Sequence, residues 1–144
     1  RTKEIPQIRE RESPAFDMNI WVKRVREVIL KVKPPKNNYS FDFQIAGLSW
    51  PDAHFDLIFS DALSDDAIQA MNERIGNFVN GWNEQEEQNG QEDFIHNMLD
   101  MRRTDEKSCE VLIDFGSASE LSLLKFLDFL QEIGGDKLIT VVLS

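Results

Sequence analysis

Between Ser64 and about Glu87 the apolar residues Ile68, Met71, Ile75, Phe78, Val79 and Trp82 recur at intervals of three and four. That spacing returns to one side of an α-helix at every turn, so the stretch is expected to form a helix with a single apolar stripe to bury. Ser64 stands where a hydroxyl caps the free backbone N–H groups, and Asp65 and Asp66 follow where carboxylates suit the positive end of the macrodipole. His54 to Ser60, just upstream, has a different period. Phe55, Leu57 and Phe59 alternate with Asp56 and Ile58, which predicts a half-buried strand.

The same two periods organise the rest of the body. Tyr39, Phe41, Phe43 and Ile45 alternate with Ser40, Asp42 and Gln44, and the reversal at Gly47 and Trp50-Pro51-Asp52 predicts an antiparallel hairpin between this strand and the His54 strand. Over Phe94 to Arg103, Ile95, Asn97, Leu99 and Met101 alternate as in a strand, although Ile95, Met98 and Leu99 also suit a helical turn. Strand is chosen because Cys109 to Phe115 is strongly strand-like and needs a partner, with Thr104 to Ser108 as the hairpin loop. Ser117 and Glu120 match a capping box. The helix they open carries Leu121, Leu124, Leu127, Leu130 and Ile133, widened by Leu123, Phe126 and Phe129, and should end in a left-handed cap at Gly134-Gly135. Lys137 to Leu143 closes the body as a strand rich in Ile, Val and Leu.

Upstream, residues 1–14 carry Pro6 and Pro14 and no sustained period, which predicts an extended arm. Trp21, Val25, Val28, Ile29 and Val32 then recur at helical spacing, so a helix is expected over 15–33, with a β-branched strand over Val28 to Val32 as the competing reading. Pro34-Pro35 ends either one. The expected organisation is one domain: an arm over 1–14, an N-terminal helix over 15–33 and an α+β body over 39–144. From His54 onward the order strand, helix, strand, strand, helix, strand is that of a ferredoxin-like, split βαβ sheet, with the Tyr39 strand added at an edge.

A chain of 144 residues buries about two-thirds of its unfolded surface without a staple. Its single cysteine, Cys109, excludes an intrachain disulfide and leaves no zinc-finger spacing. No stretch is apolar enough for a membrane span; the longest apolar-rich run, Leu121 to Leu130, is broken by Ser122, Lys125 and Asp128. Charge is uneven. Residues 1–36 hold ten Lys/Arg against five Asp/Glu, a balance of +5, whereas residues 37–144 hold six against twenty-one, a balance of −15. Such a body repels nucleic acid and anionic membrane and favours basic partners.

Catalytic motifs are sparse. His54 and Asp56, two apart on a strand, share a face, so the carboxylate has the position to orient an imidazole base; no Ser, Cys or ligand set accompanies them in the sequence, and a structural histidine is the simpler reading. His96 beside Glu92 and Asp93 offers metal-ligating atoms of a kind that arises by chance on so acidic a chain. Cys109 opens a strand in apolar company, where a thiol behaves as a small hydrophobe. Neither GxxxxGK nor GxGxxG occurs. No cofactor, metal or catalytic residue is expected.

What stands out is the acidic tract from Glu84 to Asp93, with five acids and no base. Glu84, Glu86, Glu87, Glu92 and Asp93, joined by Asp105 and Glu106 of the next loop, are expected to form a rim around an apolar anchor, Trp82 or Phe94. The small acidic α+β body, built on Phe55 to Phe59, the Ser64 helix and the Cys109 to Leu143 strand-helix-strand, resembles bacterial immunity proteins that neutralise polymorphic or contact-dependent toxins. The resemblance implies a non-catalytic cytoplasmic inhibitor that covers the active cleft of a basic toxin domain. A small-molecule-binding regulatory module of ferredoxin-like fold is the alternative.

Overall fold

The computed structural model describes residues 39–144; the expected arm over 1–14 and helix over 15–33 lie outside them. The described chain runs β1 (Asp42–Ile45), β2 (Ala53–Phe59), α1 (Asp65–Gln88), β3 (Asn97–Asp105), β4 (Ser108–Asp114), α2 (Glu120–Gly134) and β5 (Leu138–Leu143), an α+β arrangement. The strands form one mixed sheet in the order β1-β5-β2-β4-β3. β2 is antiparallel to both β4 and β5, β3 is antiparallel to β4, and β1 runs parallel to β5.

The expected hairpin between the first two strands does not form, because β5 lies between them. Leu138–Leu143 reads Leu-Ile-Thr-Val-Val-Leu, with little polar alternation, and such a strand is best served by neighbours on both sides. The seven residues 46–52 step over its end. The amides of Ala46 and Gly47 both donate to the Leu143 carbonyl, and Leu48 and Trp50 are buried in the link. The Trp50 indole donates to the Ala118 carbonyl at 3.0 Å and stacks on Phe115 with ring centroids 4.6 Å apart.

Both helices lie on one face of the sheet. Phe55 of β2 meets Phe126 of α2 edge-on at 4.9 Å, and Phe126 meets Phe78 of α1 at 5.5 Å. Leu57, Cys109, Val111, Ile113, Val141 and Leu143 fill in beneath them. The alternation read for β2 is the alternation found: Phe55, Leu57 and Phe59 are buried and His54, Asp56 and Ile58 are half-buried. No helix among the described residues is long and apolar enough to cross a membrane.

Three local expectations are revised. Ser64 caps α1 as expected, accepting from the Ala67 amide at 3.0 Å, but the capping box at Ser117 and Glu120 does not close. Ser119 is the N-cap of α2, without a side-chain bond, and Ser117 instead donates to the Glu92 carbonyl at 2.8 Å and accepts from the Phe94 amide at 3.3 Å. The β3–β4 connection is shorter than five residues: the ladder extends to the pair Asp105 and Ser108, steadied by a 2.9 Å bond between the Thr104 and Ser108 hydroxyls. Gly135 has a positive φ of 56° but a ψ of −144°, so the end of α2 is not a left-handed helical cap.

Candidate functional site

The acidic tract is shaped by what holds it. α1 continues through Glu84, Glu86 and Glu87 and closes at Asn89, whose amide bonds to the Gln85 carbonyl. The chain then folds back on the helix: the Gln91 amide donates to the Glu86 carbonyl at 2.8 Å, the Trp82 indole donates to the Asp93 carbonyl at 2.8 Å, and Asn83 bonds both backbone groups of Ile95. Glu84, Glu86, Glu87, Glu92 and Asp93 therefore share the C-terminal end of α1, where the last turn carries no base. Partial desolvation, and then the charge of Asp93, hold the Glu86 carboxyl above the ordinary carboxylate range.

The expected rim divides in two. Asp105 and Glu106 sit at the β3–β4 turn, where the Glu106 carbonyl accepts from the Leu63 amide at 3.0 Å. That is the N-terminal end of α1, about 30 Å from Glu84 at the rise of an α-helix. Trp82 is half-buried against the return loop rather than free at its centre.

A second constellation lies on the sheet face opposite the helices. His54 and Asp56 project there together from β2, and the antiparallel register sets Asp56 across from Glu110 of β4. His54 Nε2 is 2.8 Å from Glu110 Oε1 and 3.6 Å from Asp56 Oδ1. The other Glu110 oxygen is held by the Arg102 guanidinium, from the residue paired with it on β3. On the far side, His54 Nδ1 is 3.2 Å from Ser144 Oγ. The backbones of His54 and Ser144 exchange two 2.9 Å hydrogen bonds, which fixes that spacing.

Glu110 is the one buried acid among the described residues. Its carboxyl is held below the ordinary range, first by the His54 hydrogen bond, against the upward pull of burial, and then by Arg102. The arrangement is an imidazole with a carboxylate oxygen near one nitrogen and a hydroxyl near the other, able to hold a cation or relay a proton. Sequence reading found His54 and Asp56 but not Glu110, Arg102 or Ser144. Glu110 sits at the only acidic position of an otherwise apolar strand, Cys109 to Ile113, and that break in pattern was the available signal.

The remaining candidates are more dispersed. His96 is exposed, with Nδ1 3.8 Å from Asp114 Oδ2 rather than in a cluster with Glu92 and Asp93. Cys109 is buried, and desolvation pushes its thiol up to about 11, which makes it a poor nucleophile near neutral pH. Comparison with known proteins finds no family model, no curated protein and no solved structure that matches this chain.

Proposed function

We propose that the chain is a non-catalytic inhibitor of the kind that bacterial immunity proteins represent, binding a basic toxin domain in the cytosol through the acidic end of α1. One observation carries this reading. Five carboxylates share the negative end of a 24-residue helix with no base in its last turn, an arrangement that the macrodipole and mutual repulsion both oppose. Each is relieved by a cationic partner. The bases of the body add to the imbalance, since Arg102, Arg103 and Lys137 pair with Glu110, Asp65 and Asp61 away from that end.

The mechanism is electrostatic. A nuclease groove must be cationic to hold phosphates, so a carboxylate pole can occupy it, exclude the substrate and steer rapid association. With a balance of −15 the acidic body repels nucleic acid. The buried, unbridged Cys109 agrees with a reducing compartment. For the scaffold we propose a ferredoxin-like split βαβ unit over β2 to β5; the order β5-β2-β4-β3, with both helices on one face, supports it, and β1 extends the β5 edge.

The test is affinity capture from the source cell with the full chain and with a Glu84→Lys, Glu86→Lys, Glu87→Lys variant, each at low and high salt. A basic protein held at low salt by the native chain, released by salt and lost with the variant is the expected result. Equal capture by the two chains, or no protein captured, overturns the proposal.

A further inference from the structure

We infer that His54, Asp56 and Glu110 form a binding site for one divalent first-row transition metal ion, on the sheet face opposite the two helices. One ligand atom from each, His54 Nε2 and an oxygen of each carboxylate, lies within 4.8 Å of the others. Around a zinc ion with bonds of about 2.0–2.2 Å, tetrahedral ligand atoms sit about 3.3–3.5 Å apart. The 3.6 Å gap between Nε2 and Asp56 Oδ1 already fits. The 2.8 Å gap between Nε2 and Glu110 Oε1 has to open by about half an ångström, which side-chain rotation supplies while the paired strands stay fixed.

The surroundings are those a ligand set requires. Arg102 occupies the second oxygen of Glu110 and leaves Oε1 toward His54. Ser144 Oγ lies within hydrogen-bond reach of His54 Nδ1. With the imidazole proton on Nδ1 and donated to that hydroxyl, Nε2 presents its lone pair to the metal, the outer-shell arrangement typical of metal-bound histidine. The two carboxylates supply two negative charges and the imidazole is a neutral ligand, so with Arg102 on Glu110 the loaded site carries one net positive charge. One nitrogen and two oxygens favour zinc, manganese, iron(II), cobalt or nickel over magnesium and calcium, which take oxygen ligands. His54 and Asp56 are half-buried, so the ion's remaining positions are reached from solvent and filled by water.

This site is independent of the acidic end of α1, and its test separates the two. The sequence holds two histidines and one cysteine, so the nitrogen donors are few enough to assign individually. The full chain, stripped with chelator, is titrated with zinc chloride by calorimetry, alongside His54→Ala, Asp56→Asn, Glu110→Gln and His96→Ala, with circular dichroism confirming the fold of each. One equivalent of zinc is expected. His54→Ala should abolish this binding, Asp56→Asn and Glu110→Gln should weaken it at least tenfold, and His96→Ala should leave it intact. In histidine nitrogen NMR spectra, zinc should shift Nε2 of His54 and not that of His96. Asp56→Asn, at a half-exposed position, is the variant that decides if Glu110→Gln fails to fold. Absence of zinc binding, binding unchanged in His54→Ala, or a zinc shift at His96 instead overturns the inference.

Discussion

Asn83 grips Ile95 by both of its backbone groups: the carboxamide oxygen accepts from the Ile95 amide and the carboxamide nitrogen donates to the Ile95 carbonyl, each at 2.8 Å. Three helical turns earlier, Asn72 accepts from the Met101 amide at 2.8 Å. Both asparagines thus face the outer edge of the sheet. Among the described strands β3 lies at an edge of the sheet, and an edge left bare invites pairing with other chains. α1 satisfies part of that edge with its own side chains.

Asn83→Ala leaves a buried donor and a buried acceptor at Ile95 without partners. A loss of about 1–3 kcal/mol is expected, measured by urea unfolding, together with faster hydrogen exchange at the Ile95 amide. Unchanged exchange there would show that the clamp does not hold the loop.

Charge reversal at the end of α1 should stabilise the fold even as it removes the proposed binding pole. Glu87→Lys places a cation at the negative end of the helix and is expected to add about 0.5–1 kcal/mol, with the gain shrinking at high salt. Thermal melts at two salt concentrations read both effects.

Two adjacent glycines should fail for different reasons. A Cβ on Gly134 would lie 2.5 Å from the Cβ of buried Leu138, whereas one on Gly135 meets nothing within 4 Å. Gly134→Ala should therefore cost about 1–3 kcal/mol through overpacking. Gly135→Ala should cost a similar amount through backbone strain alone, since φ 56° with ψ −144° is a region that essentially only glycine occupies. Asparagine, which tolerates only the left-handed helical region, should not rescue Gly135. Leu138→Gly, which removes that Cβ, should relieve part of the Gly134→Ala cost and none of the Gly135→Ala cost, a contrast that a double-mutant cycle resolves.

Tyr39 provides the pH dependence. Burial first, and then the charge of Asp128, which accepts from its hydroxyl at 3.0 Å, raise the phenol well above its ordinary value near 10. Because the folded value is the higher one, the stability gained from the protonated phenol is complete below about pH 10 and is lost as the pH climbs through the folded value. Unfolding free energy should fall above pH 10 in the native chain and fall less steeply in Tyr39→Phe. The sequence has one tyrosine, so phenolate absorbance reports its titration directly; a midpoint near 10 in the folded chain would contradict this account.

Within the described body the sequence by itself determined what most stretches would become, Phe94 to Arg103, which suits strand and helix alike, being the exception. The stripe of Met71, Ile75 and Val79, the alternation of Phe55, Leu57 and Phe59, and the Ser64 cap are local patterns, and backbone geometry converts them into helix or strand without reference to distant residues. Pairing is a different matter. Nothing within Asp42–Ile45 states that its neighbour is β5 rather than β2, because that choice depends on which strand most needs two neighbours. The division of the expected rim has the same origin, since β3 carries the chain back so that Asp105 and Glu106 meet the N-terminal end of α1 at Leu63, a helix length away from Glu84. Likewise, only tertiary structure brings Glu110 and Ser144 to His54, across 56 and 90 residues of chain. A half-buried strand face is legible as polar or apolar from its period of two, but which polar groups meet on it is decided by register between strands, and register is a property of the assembled sheet.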